Sequence, residues 1–165
     1  MTDAAESSPS AGTALWLALY QPDIPQNTGA ILRMAACLSL PVAIVEPAGF
    51  PTSDRAFRRA GMDYLDHVVV ARHASWSAFL EWRGGRRLIL ATTRASTAHH
   101  AFRYRRGDIV LFGRETAGVP DAVRDRCDAA VRIPMRRVTR SLNLAVSAAV
   151  VAAEALRQLD AFPED

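Results

Sequence analysis

The sequence contains no lysine: all 20 of its basic residues are arginine. That removes the side chain used for Schiff-base and amine-nucleophile chemistry. It leaves cations that stay protonated and grip phosphates through a planar fork. Cysteine is nearly absent as well. Cys37 and Cys127 lie far apart, and neither belongs to a CxxC or Cys/His cluster. Two reduced structural thiols are expected, with no disulfide framework. The His99-His100 pair has no carboxylate or thiol at ligand spacing, so no metal is expected there.

Several functional signatures are missing too. No GxxxxGK[ST] occurs, no GxGxxG follows the first strand pattern, and no GxSxG is present. The usual equipment of phosphate-loop hydrolases, dinucleotide oxidoreductases and serine hydrolases is therefore lacking. The first residues are rich in Ala, Ser and Thr, with no basic start before an apolar run, so no leader is expected. The Ala-rich run near the C-terminus holds Ser147, Glu154 and Arg157 and does not read as a membrane span. These features predict a soluble cytoplasmic protein.

What is present fits one domain. The chain has 165 residues, half of them apolar, and a net charge of +3 with a pI near 9.4. That length and composition suffice for a sizeable core. The mild basicity suits a polyanionic partner. We expect a disordered tail over residues 1–13, a single domain over 14–160 and a short tail over 161–165.

Strand and helix patterns alternate along the chain. Strands are predicted at Leu15–Tyr20, Val42–Val45, His67–Val70, Leu88–Ala91, Ile109–Phe112 and Ala130–Ile133. Apolar residues recur at helical spacing over 28–38, with Asn27 as the predicted cap. Ser53 and Ser75 cap two further helices, which glycines end at Gly61 and Gly84-Gly85. Pro120 opens a helix through Arg126. A last helix runs from Leu142 to Leu159, with Ser141 as its predicted cap. Continuous apolar strands alternating with helices predict an α/β fold with a parallel sheet covered on both faces. Ligands of such sheets sit beyond the carboxyl ends of the strands. The loops at 21–27, 92–94, 113–118 and 134–143 fall there, rich in Gly, Pro, Asn and Ser.

Three blocks stand out in these loops: Asn27-Thr28-Gly29-Ala30-Ile31-Leu32-Arg33, then Gly113-Arg114-Glu115-Thr116-Ala117-Gly118-Val119-Pro120, then Ile133-Pro134-Met135 with Arg140-Ser141-Leu142-Asn143. Glycines let a flat ligand approach the main chain. Asn27 and Arg33, six residues apart, fall on different faces of a helix. From position alone Arg33 reads equally as a solvated charge, and Glu115 as a carboxylate that holds its loop or orients Arg33. The clusters Arg55/Arg58/Arg59, Arg103/Arg105/Arg106 and Arg136/Arg137/Arg140 are candidate phosphate contacts. Arg136, Arg137 and Arg140 are favoured because they flank the third block.

In this order and spacing the blocks resemble the SpoU branch of the SPOUT RNA methyltransferases, over residues 15–159. Gln21-Pro22-Asp23-Ile24-Pro25-Gln26-Asn27, Glu46-Pro47 and Arg58-Arg59-Ala60-Gly61-Met62-Asp63-Tyr64 add a similarity to small tRNA wobble-nucleotide 2′-O-methyltransferases, the TrmL/YibK-like group. The resemblance implies the SPOUT α/β knot fold, with a deep C-terminal trefoil knot, and an obligate homodimer. It implies S-adenosylmethionine as methyl donor and the tRNA anticodon stem-loop as substrate. By motif, Ala91, Thr92, Gly113, Gly118, Ile133, Ser141 and Leu142 are the implied cofactor-binding positions. Arg33 is the implied catalytic residue, with Asn27, Glu115, Ser141 and Asn143 as matching polar positions. Arg114, Ala117 and Ala145-Val146 depart from the family pattern, which bears on the RNA target more than on the reaction. Two other readings stay open: a 2′-O-methyltransferase of another tRNA or rRNA site, and a noncatalytic RNA-binding protein with the same fold.

Overall fold

The computed structural model describes residues 12–164, so the expected tail positions 1–11 and 165 lie outside the described residues. The chain runs β1 (Leu15–Tyr20), α1 (Pro25–Cys37), β2 (Val42–Val45), α2 (Asp54–Arg59), a 3-10 turn (Leu65–His67), β3 (Val70–His73) and α3 (Trp76–Arg83). It continues through β4 (Leu88–Ala91), β5 (Thr97–Ala98), β6 (Asp108–Phe112), α4 (Asp121–Arg124), β7 (Ala129–Arg132) and α5 (Leu144–Leu159). The strands form one parallel sheet in the order β3-β2-β1-β6-β4-β7-β5.

Strand alternation explains why the sheet is covered on both faces. In β1 every residue is buried. Leu15, Leu17 and Leu19 face a core completed by Ile31 and Leu32 of α1 and Val151 and Leu156 of α5. Trp16, Ala18 and Tyr20 face the opposite core, which includes Phe79 of α3 and Val123 of α4. Each buried Leu, Ile, Val or Phe among them contributes roughly 1.5–3 kcal/mol relative to exposure. The alanines of α5 divide the same way: Ala148, Ala152 and Ala155 are fully buried, which lets the helix pack closely on α1 and β1. At the start of β6, Asp108 is buried and accepts from Arg87 Nε and Nη2, at 2.9 and 2.6 Å.

Most helix punctuation follows local chemistry. Ser53 and Ser75 each accept a backbone N–H three residues on. Gly61 and Gly84 take positive φ where α2 and α3 end.

Several boundaries differ from the sequence reading. The third strand begins at Val70, where it was expected to end, because residues 65–67 coil into a 3-10 turn. A two-residue strand, Thr97–Ala98, precedes the one expected fifth. The α4 helix ends at Arg124 rather than Arg126, with Pro120 as its cap. Asn27 is not a cap: α1 starts two residues earlier, with Ile24 at the cap and a proline in the first turn, and Asn27 is buried inside the helix. Ser141 is not a cap either. Asn143 caps α5, accepting from Ala145 N at 2.9 Å and Val146 N at 3.2 Å. Cys127 is half-buried, its thiol raised to about 11 by burial, whereas Cys37 is exposed.

Candidate active site

The strand order brings four loops together. With β6 between β1 and β4, and β7 beside β4, the loops that leave the carboxyl ends of these strands converge. They enclose a cavity of about 410 Å³. Its floor is apolar, from Phe112, Val131, Ile133 and Val151.

All seven expected cofactor positions line this cavity. Ala91 and Thr92 follow β4, and Gly113 and Gly118 follow β6. Ile133, Ser141 and Leu142 bracket the loop after β7. Arg114 and Gly118 are the two ends of a tight turn closed by paired hydrogen bonds, Arg114 N to Gly118 O at 2.9 Å and Gly118 N to Arg114 O at 2.8 Å, and Gly113 leads into it. Gly118 needs its positive φ of 63°. A Cβ on Gly113 would stand 2.6 Å from the Gly118 carbonyl carbon, so only glycine fits.

A hydrogen-bonded relay joins the three sequence blocks. Asn143 Nδ2 donates to Asn27 Oδ1 at 2.9 Å, and Asn27 Nδ2 donates to Glu115 Oε1 at 3.3 Å. The other Glu115 oxygen accepts from Asp23 N at 3.0 Å. These residues come from α1, the loop after β6 and the start of α5, so no pair is local in sequence. Asn27 has its amide satisfied on both sides, which explains a buried polar residue mid-helix. Glu115 thus serves as a loop-holding carboxylate. Its partners within the chain are Asp23 and Asn27, and Arg33 is not among them.

Asp23 completes the relay and was missed from sequence. Its carboxylate accepts from Glu115 N at 3.2 Å and from the Thr116 hydroxyl at 2.5 Å, and Arg114 Nε stands 3.5 Å away. The carboxyl is held down at about 2, first by its pairing with Glu115, against the opposing effect of burial, and then by the Thr116 hydroxyl, the Glu115 N–H and the Arg114 charge. Its partners lie 92 and 93 positions away, so no local pattern marks its bonding. Ser147, one turn after Asn143 on α5, also lines the cavity and was not singled out.

Arg33 stands apart from this cavity. Its guanidinium lies 4.9 Å from the Tyr64 ring centroid, in a second cleft of about 500 Å³ between α1 and the segment after α2. Asn27 and Arg33 thus open on different clefts, as their spacing indicates. Arg136, Arg137 and Arg140 are exposed on the loop between Ile133 and Leu142 and border the cavity without lining it. None of the three side chains makes a hydrogen bond or ion pair among the described residues. Among those residues no cluster of His, Cys, Asp and Glu of metal-binding size occurs, and no helix is long and apolar enough to cross a membrane.

Residues 14–153 match the SpoU rRNA Methylase family. A protein of Beijerinckia indica called tRNA (cytidine(34)-2′-O)-methyltransferase is 60% identical over 148 residues, 88% of this chain and 92% of that one. A solved structure described as "Structural insights into the 2-OH methylation of C/U34 on tRNA" superposes with a TM-score of 0.82. Its identity is 44%, over 88% of this chain and 96% of that one. The SpoU methyltransferase AviRb from Streptomyces viridochromogenes, solved in complex with the cofactor AdoMet, superposes with a TM-score of 0.80 at 26% identity, over 92% of this chain and 62% of that one.

Proposed function

We propose, from the premise that this chain belongs to the SpoU rRNA methylase family, that it is an S-adenosylmethionine-dependent methyltransferase acting on the 2′-hydroxyl of the wobble ribose in tRNA anticodons. The observation that carries this reading is the meeting of all seven motif-matched positions around one cavity, braced by the Asn143–Asn27–Glu115 relay. The wobble target is supported by relatives of nearly equal length named for that reaction.

The cavity suits the methyl donor. Gly113 brings the main chain to the surface, Ile133 and Leu142 offer apolar walls to a flat base, and Ser141 and the Thr92 loop add polar edges. When bound, S-adenosylmethionine supplies a methyl carbon made electrophilic by a sulfonium. The protein's part is to position, to exclude water and to prepare the ribose oxygen.

In this reading Arg33 prepares that oxygen. A ribose hydroxyl must lose its proton to attack, and an arginine, which stays protonated, is a poor base. Arg33 instead stabilises the developing alkoxide and grips the adjacent phosphate. It does so across a dimer, because within one chain it opens on the cleft away from the cavity. The exposed apolar residues Ile24, Leu142 and Val146 near the cavity mouth support a homodimer that covers this face. The insertion of β6 between β1 and β4, with the segment after β7 returning to Asn27, supports the C-terminal knot. Arg136, Arg137 and Arg140 take RNA phosphates, and a cytoplasmic location belongs to the same reading.

The test is methyl transfer from labelled S-adenosylmethionine to anticodon stem-loops. A stem-loop with a 2′-deoxyribose at the wobble position should accept no label, while the all-ribose stem-loop does. Equal labelling of both would place the reaction elsewhere.

A further inference from the structure

The cleft that holds Arg33 has features that methyl transfer from the cofactor cavity does not use. One wall is the small-residue face of α1, Gly29 and Ala30. The opposite wall is Met62, Tyr64 and Leu65. A Cβ on Gly29 would stand 3.0 Å from Met62 Cε, so the absence of a side chain at Gly29 lets Met62 pack against α1 at this point of the cleft. Arg33 lies over the Tyr64 ring and makes no hydrogen bond or ion pair among the described residues. Arg59, which leads into this wall, likewise has no such partner among them. Its neighbours differ: Arg58 pairs with Asp66, and Arg72 with Asp54. Acidic partners were thus available nearby, and Arg33 in the cleft and Arg59, next in sequence to its wall residue Ala60, are left uncompensated.

A slot with planar and thioether surfaces inside and unpaired guanidinium groups at its edge matches an unstacked nucleotide. Bases stack on aromatic rings and guanidinium planes, and arginine forks take the phosphate. Resting on the functional reading above, we propose that this cleft is a second nucleotide subsite. It takes the base next to the methylated nucleotide, flat against the Arg33–Tyr64 pair. Arg33 holds the phosphate that joins the two, and Arg59 the next one. Tyr64 is then a binding residue that also fixes the guanidinium. A base paired in a duplex does not fit such a slot, so the subsite selects a single-stranded loop.

The test is binding of a fluorescent anticodon stem-loop, intact or abasic at one position flanking the wobble nucleotide, to the wild type, Tyr64→Phe and Tyr64→Leu. One stacked base corresponds to roughly a five- to hundredfold change in affinity. Tyr64→Leu and one of the two abasic positions should each weaken binding about tenfold, and together no more than either alone. Tyr64→Phe should bind as the wild type does, and S-adenosylmethionine affinity should be unchanged throughout. If Tyr64→Leu fails to fold, the abasic RNAs test the same contact on the wild type: a loss at neither flanking position overturns the subsite. Additive losses, or full binding by folded Tyr64→Leu, also overturn it. A Tyr64-dependent change in oligomeric state without any effect on RNA would give the cleft to a second copy of the chain and overturn it as well. Normal wobble methylation without coupling refutes the subsite alone. Coupled binding without wobble methylation refutes the functional reading alone.

Discussion

Gly113→Ala tests whether the cavity depends on the turn after β6. The added Cβ would lie 2.6 Å from the Gly118 carbonyl carbon, 2.7 Å from its Cα and 3.0 Å from its oxygen, whereas ordinary contact begins at 3.4 Å. The shortfall of about 0.8 Å falls on backbone, not on a flexible side-chain end, so the turn itself must move. Both hydrogen bonds that close the turn, at 2.9 and 2.8 Å, resist that movement. Overpacking of this kind costs roughly 1–3 kcal/mol. If the cost falls on the cofactor-ready shape, affinity for S-adenosylmethionine drops roughly five- to hundredfold. Titration calorimetry reads this directly. Gly85→Ala is the control, because nothing lies within 4 Å of a Cβ there. Wild-type affinity in a well-folded Gly113→Ala protein would refute the reasoning.

The remaining predictions concern the relay and the arginines. Arg33→Ala should slow single-turnover methylation about a hundredfold and leave S-adenosylmethionine affinity unchanged, since Arg33 acts on the ribose and does not line the cavity of its own chain. Asn143→Ala removes the α5 cap and the Asn27 contact together, and should lower stability by about 1–2 kcal/mol in urea unfolding. Asp23 has a folded pKa of about 2, below its ordinary 3.8, so its contribution is complete above that ordinary value. It is lost as pH falls from about 4 through about 2, and Asp23→Asn should flatten this part of the stability profile. Replacing Arg136, Arg137 and Arg140 by glutamine should weaken RNA binding and reduce its salt slope by about 2–3; an unchanged slope would free them of phosphate contact.

Local chemistry made much of the fold legible. The strands Leu15–Tyr20, Val42–Val45 and Leu88–Ala91 carry continuous apolar runs because the sheet is covered on both faces, and their limits match the structure. Edge strands were harder. Val70–His73 is only half-buried along most of its length and includes Arg72. The three valines before Ala71 therefore drew the expected strand toward the N-terminus. The cavity residues were readable as blocks, but their bonding was not. Asn27 looks like a cap because Asn favours caps, yet its partners Glu115 and Asn143 lie 88 and 116 residues away and hold it inside the helix. Asn143, for the same reason, takes the capping role that local spacing gave to Ser141. Asp23 lies in a block that marks the resemblance, but its bonding partners are 92 and 93 residues away. The separation of Arg33 from the cavity follows from helical geometry, but the second cleft depends on Met62 and Tyr64, which only the folded chain brings beside α1.

The most direct test of the central claim is mass-spectrometric mapping of an anticodon stem-loop after incubation with the protein and S-adenosylmethionine. The account predicts one added methyl group, on the ribose of the wobble nucleotide. A methyl group on a base, or on any other ribose, would contradict it.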